Sequence, residues 1–217
     1  MVQTIGNPSI VMLSNPNSHI SEMYRTLRFN IECMDAEHKV KIIAITSANQ
    51  GEGKTTTAIN LAIAFAKAGK KVLLVDANLR NPAFQREFTS VVKGNSEGLT
   101  NIIMDNKEMG ELVQQSDIEN LFILMSGSLE QNASDILSSK KMEALLVEMK
   151  SNFEIVLIDT PSMLKLTDAK IVSSMCDGVL LVVEEGKIKR AAAQEVKEEL
   201  AKVRANLLGV VMNRTKK

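Results

Sequence analysis

Short aliphatic runs alternate along the chain with segments in which apolar residues recur every three or four positions. Residues 42–45, 72–75, 121–125, 153–159, 178–183 and 207–212 are nearly continuous in Ile, Val, Leu and Phe. Such runs suit strands covered on both faces. Helical spacing falls between them, at 54–67, 99–104, 108–115, 133–150 (one or two helices), 168–175 and 189–204. The alternation predicts an α/β fold with a mostly parallel central sheet and helices on both faces.

The flanks of this pattern are less regular. Up to Ser18 the chain carries Asn7-Pro8 and Asn15-Pro16, a turn-rich composition that predicts an extended arm. From Ser21, a plausible N-cap, Met23, Leu27, Ile31 and Met34 define one apolar helical stripe. Glu22, Arg25 and Arg28 share a broad sector of the same helix, which by itself reads as a solvated charged face. Gly69, followed by Lys70 and Lys71, marks the end of the helix that starts near residue 54. Residues 81–98 are polar and contain glycine, and predict a mobile loop; residues 126–132 read as a second loop.

The candidate chemistry sits at the ends of three of the strands. Residues 41–62 read KIIAITSANQGEGKTTTAINLA: a buried strand, a glycine-rich turn and a helix that opens on Lys54 and Thr55. Gly51 and Gly53 let the backbone close round phosphate oxygens, and the helix dipole adds positive potential. Lys54 would reach the β- and γ-phosphates and the Thr55 hydroxyl would ligate magnesium. The full phosphate-loop pattern asks for glycine at Ala48, so the match is incomplete, although its core GEGKT is present. Two further strands deliver Asp76 and Asp159 to their carboxyl ends, where open parallel sheets place ligands. A hydrophobic run ending in Asp is the usual second magnesium element of phosphate-loop proteins.

Composition narrows the setting. The chain has 217 residues, enough for one substantial domain. Lys plus Arg equals Asp plus Glu at 26 each, so no charge excess argues for nucleic acid. The basic residues Lys187, Lys189, Arg190, Lys197 and Lys202 alternate with Glu195, Glu198 and Glu199, as on a solvated face. The 12 methionines read as core filling. Cys33 and Cys176 lie far apart, which suits reduced thiols, and His19 and His38 are isolated. The N-terminus does not read as a secretory signal. Apolar runs such as 179–183 fall well short of the roughly 18 residues that span a bilayer.

Several stretches together resemble one family, the bacterial tyrosine kinases of the capsule and exopolysaccharide type, in their cytoplasmic Gram-positive form. They are SEMYRTLRFNI, SANQGEGKTTTAINLA, VLLVDANLRNP, EGLTNII, ILMSGSLEQNASDILSS, VLIDTPS and GVVMNR, which span nearly the whole chain. The resemblance implies a P-loop NTPase domain over 1–217, with an arm and oligomerisation helix at 1–35 and a nucleotide-binding core at 40–214. It implies ATP and Mg2+, bound by Gly51, Glu52, Gly53, Lys54, Thr55 and Thr56, with Asn213 reading the adenine edge. Lys54 and Thr55 fall in Walker A, Asp76 in Walker A′ and Asp159 in Walker B. Lys54, Asp76 and Asp159 become the catalytic set, and Thr55, Asp76 and Asp159 the metal set. Glu22, Arg25 and Arg28 match an E-x-x-R-x-x-R element that joins subunits into a ring. The implied partners are protein tyrosine substrates and a membrane adaptor whose cytoplasmic tail activates the kinase at the inner face of the membrane.

Two departures from the family pattern stand out. Walker A′ usually reads D-x-D-x-R, whereas here it is Asp76-Ala77-Asn78-Leu79-Arg80. The usual terminal tyrosine cluster does not occur, and Tyr24 is the only tyrosine. Both features suit an alternative reading, a nucleotide-controlled assembly module with weak or absent phosphoryl transfer. A positioning ATPase of the ParA and MinD type shares the fold, but it usually carries a lysine where this chain has Asn49.

Overall fold

The computed structural model describes residues 10–38, 40–84, 97–187 and 190–214. In chain order the helices are α1 (Val11–Ser14), α2 (His19–His38), α3 (Lys54–Lys67), α4 (Leu99–Asp105), α5 (Met109–Leu112), α6 (Ala133–Leu137), α7 (Lys140–Asn152), α8 (Asp168–Met175) and α9 (Arg190–Lys202). The strands are β1 (Ile42–Ser47), β2 (Val72–Asp76), β3 (Gln114–Gln115), β4 (Leu121–Leu124), β5 (Ile155–Asp159), β6 (Gly178–Glu184) and β7 (Leu207–Asn213). The sheet order is β3-β4-β2-β5-β1-β6-β7, and only β3 runs antiparallel to its neighbour.

The sheet is covered on both faces, as the unbroken aliphatic runs require. Ile43, Ile45, Leu74 and Leu157 face α1, α2 and α3, whereas Ile42, Ala44, Val75, Val156 and Ile158 face α4 to α9. Adjacent residues of one strand thus enter different cores, the consequence of the strand's period of two. Helix α3 lies between the sheet and the N-terminal helices, so Thr57 to Ala66 are all buried. Its Ala, Ile, Leu and Phe content suits a helix apolar on every side. It ends as its sequence predicts, with Gly69 at φ +85° and Lys70 N–H returning to the Phe65 carbonyl at 3.2 Å.

Three local expectations are corrected. The arm before residue 18 is not wholly extended: α1 forms one helical turn because Met12 is buried on α3. There Asn60 Oδ1 accepts the Met12 N–H at 3.0 Å and Lys67 Nζ donates to the Met12 carbonyl at 2.7 Å. Ser21 is not the cap of α2. Ser18 Oγ accepts the Ser21 N–H, while the Ser21 hydroxyl, fully buried, donates to the carbonyls of Asn15 at 2.8 Å and Val11 at 3.2 Å. On the same helix Tyr24, Leu27 and Ile31 pack inward and Met23 and Met34 are exposed. Finally, the helix expected over 108–115 stops at Leu112, because Gln114 and Gln115 pair with β4.

Most of the loop expected over 81–98 lies outside the described residues, as do the side chain of His38 and residue Lys189. No helix among the described residues is long and apolar enough to cross a membrane.

Candidate active site

Three neighbouring strands, β1, β5 and β2, end side by side. Ile45 pairs in register with Asp159, and Asp159 pairs with Asp76, so the phosphate loop and both carboxylates open onto one crevice.

The loop is held from within. Ser47 Oγ donates to the Asn49 carbonyl at 2.7 Å, and the buried Glu52 carboxylate accepts the Asn49 N–H at 2.9 Å. Gly51 and Gly53 take φ of +87° and +90°, values that side chains with a Cβ rarely adopt. No side chain caps α3 at Gly53, which leaves its first-turn amides available to an anion. Asn213, at the end of β7, braces this turn: its Nδ2 donates to the Glu52 carbonyl at 3.0 Å and its Oδ1 accepts the Arg214 N–H at 2.9 Å. A Cβ built on Gly53 would lie 2.0 Å from that Nδ2. Glycine at 53 therefore answers both to the turn and to the amide above it.

The acidic side is electrostatically unbalanced. Thr55 Oγ1 donates to Asp159 Oδ2 at 2.6 Å, whereas Asp159 Oδ1 is buried with no hydrogen-bond partner among the described residues. The Asp159 carboxyl is raised to about 7, chiefly by burial and also by Asp76, against the opposing effects of Lys54 and the Thr55 hydroxyl. Asp76 is raised to about 6 by burial, against the opposing effects of three backbone N–H groups and Lys54. Its Oδ1 accepts from Asn78 at 3.0 Å, and its Oδ2 accepts from Ala83 at 3.0 Å and Phe84 at 3.2 Å. Two buried carboxyls, one of them with an oxygen left over, and the Thr55 hydroxyl form a hard oxygen donor set. That donor set fits magnesium.

Of the residues that the sequence singles out, Gly51, Glu52, Gly53, Lys54, Thr55, Asp76, Asp159 and Asn213 meet at or beside this crevice. Glu22, Arg25 and Arg28 belong to α2: Glu22 pairs with Arg25 at 2.7 Å and Arg28 with Glu32 at 2.5 Å. Sequence reasoning passed over Asp168. This carboxylate, 1% exposed at the start of α8, receives Arg80 Nε at 2.8 Å and Nη2 at 3.2 Å. The 88 positions between them leave no local signal.

The chain is similar to several known proteins. A family model described as an AAA domain matches residues 40–209. Tyrosine-protein kinase YwqD of Bacillus subtilis (strain 168) is 41% identical over 205 residues, which cover 94% of this chain and 85% of that protein. The chain belongs to the bacterial tyrosine-protein kinase family. Tyrosine-protein kinase CpsD of Streptococcus agalactiae is 34% identical over 193 residues, covering 89% of this chain and 82% of that one. The kinase domain of Escherichia coli tyrosine kinase ETK superposes with a TM-score of 0.90 at 27% identity, covering 96% of this chain and 80% of that one.

Proposed function

We propose that this tyrosine kinase transfers the γ-phosphoryl group of ATP to protein tyrosine with magnesium held between Thr55 and Asp159. The observation that carries the reading is the Thr55 hydroxyl on Asp159 Oδ2, with Asp159 Oδ1 unpaired and Asp76 in register one strand away. Magnesium bound there would offset the charge of the transferred group and its leaving oxygen. Lys54 and the amides of the loop take the β- and γ-phosphates. Asp76 orients the incoming phenol and accepts its proton; a carboxyl near 6 has the proton affinity for that task at neutral pH. Its three N–H bonds fix its direction, and Oδ1, which accepts only one of them, keeps a further lone pair. Asn78 supplies an amide oxygen where a second carboxylate is usual, which weakens the hold on the metal without removing the base. Asn213 takes the adenine edge, a role that an amide fills because it donates and accepts at once.

The kinase works, in this reading, as a homo-oligomer joined through α2 and brought to the membrane by an adaptor, in the service of polysaccharide synthesis. The support for assembly is the outer sector of α2, where the side chains of Glu22 and Arg25 are 66% and 37% exposed beside the exposed Phe29. The support for recruitment is the motif resemblance. Purified protein incubated with ATP, magnesium and the adaptor's cytoplasmic tail should place phosphate on substrate tyrosine. Absence of phosphotyrosine from every candidate substrate would overturn the reading.

A further inference from the structure

Residues 77–84 wrap round the Asp76 carboxylate. Asn78, Ala83 and Phe84 turn their amides inward to it, and the Asn81 N–H closes a turn on the Asn78 carbonyl at 3.1 Å. A wrapped segment of this kind has no regular ladder to fix it, so its path depends on external anchors. Two are present. Leu79 is fully buried and its carbonyl accepts the Glu130 N–H at 3.2 Å. Arg80 spans outward to Asp168 through two bonds and donates Nη1 to the Gln131 carbonyl at 2.6 Å.

Asp168 is itself tied to the other acidic strand. It follows the turn that leaves β5 after Asp159 and opens α8, where a negative charge is favoured by the helix dipole. Its carboxylate is nearly inaccessible and would be costly without a partner. The fork of Arg80 matches both of its oxygens, a geometry that fixes direction as well as distance.

We infer that Asp168 and Arg80 form a staple that holds the segment after β2 in register with the segment after β5, making Asp168 a positioning residue for Asp76 and Asn78. The inference rests on the assignment of Asp76 to the acceptor side of the kinase reaction. It separates the two halves of the site: the phosphate loop leaves β1 and has no bond to the staple among those described above.

The test combines kinetics with amide exchange. In Asp168→Asn the fork loses its charged partner while the side-chain shape is kept. Tyrosine phosphorylation should fall about 10- to 100-fold in kcat, the scale of a misplacement near 1 Å, with KM for ATP changed less than about twofold. Arg80→Gln should do the same, and the double variant should be no slower than the slower single one. Hydrogen exchange at Asn78, Ala83 and Phe84 should accelerate in all three, whereas residues 51–57 keep their protection. Equal loss of ATP affinity, additive single effects or unchanged exchange at 78–84 would overturn the staple. Should Asp168→Asn fail to fold, Arg80→Lys, which keeps the charge but not the fork, carries the same readouts. Exchange needs no activity, so a wild-type protein without kinase activity would discredit the kinase reading, while protection at 78–84 would still decide for or against the staple.

Discussion

The Thr55 hydroxyl and the Asp159 carboxylate lie 2.6 Å apart, joining the first turn of α3 to the end of β5. Each is the other's hydrogen-bond partner, and each is an oxygen donor of the kind that suits magnesium. Thr55→Val keeps the side-chain shape and removes the donor. It should abolish most of the magnesium dependence of nucleotide binding and lower kcat about 100-fold. Titration calorimetry with ATP, with and without magnesium, checks this; a variant that keeps the full magnesium effect would remove Thr55 from the metal site.

Protonation offers a second handle on the same site. Asp76 near 6 and Asp159 near 7 both lie above the ordinary carboxyl value of 3.8. Between about pH 4 and 7 the folded chain therefore binds more protons than the unfolded one, and stability falls as pH rises through this range. The nucleotide-free protein should melt at a lower temperature at about pH 8 than at about pH 5.5. Asp159→Asn should flatten that slope, and magnesium nucleotide should release protons on binding near about pH 6.5. Thermal melts across pH, and calorimetry in buffers of different ionisation enthalpy, measure both effects.

The sequence made this crevice readable because its parts are locally encoded. Parallel strands buried on both faces must be aliphatic throughout, so a terminal Asp76 or Asp159 stands out against them. Glycines at positive φ have few substitutes. What escaped detection depends on contacts between distant residues. Asp168 meets Arg80 across 88 positions, and Ser21 serves the carbonyls of α1 and the turn after it instead of its own helix start. With Ser21 buried on that side, the inward face of α2 is centred on Tyr24, Leu27 and Ile31 instead of on Met23 and Met34. The two residues of β3 are too few to show a period at all.

Gly53 tests how the loop is specified. Gly53→Ala meets a left-handed backbone, costing about 1–2 kcal/mol, and a collision with Asn213 Nδ2. Asn213→Ala should relieve the collision but also remove the two bonds that brace the turn. The double variant should therefore fall about 1–2 kcal/mol below Asn213→Ala alone, the part of the cost that belongs to the backbone. Urea melts of the three proteins decide; equal stability of the double variant and Asn213→Ala would mean that the backbone strain is absent.

The charged face of α2 makes a different prediction. Glu22 and Arg25 form an exposed pair, and such pairs contribute about 0–1 kcal/mol. Replacing Glu22, Arg25 and Arg28 with Ala should leave the fold of the subunit nearly as stable while abolishing assembly. Light scattering at fixed protein concentration, with and without ATP, reads the assembly; a triple variant that still associates would place the subunit contact elsewhere.

Tyr24 is the only tyrosine, and its setting argues against its being an acceptor. The ring packs against the core beneath α2, its hydroxyl is bonded to the side chain of Thr57 on α3, and burial raises its pKa. Thr57 is buried two positions beyond Thr55, so a phosphate on Tyr24 would need α2 lifted from the helix that carries the phosphate loop. Incubation with ATP and magnesium should leave Tyr24 unmodified by mass spectrometry while other proteins become phosphorylated. Tyr24→Phe should retain activity toward those substrates and lose about 0.5–1.5 kcal/mol of stability, the usual worth of one hydrogen bond. Stoichiometric phosphate on Tyr24 in the assembled kinase would show instead that α2 leaves α3 during the catalytic cycle.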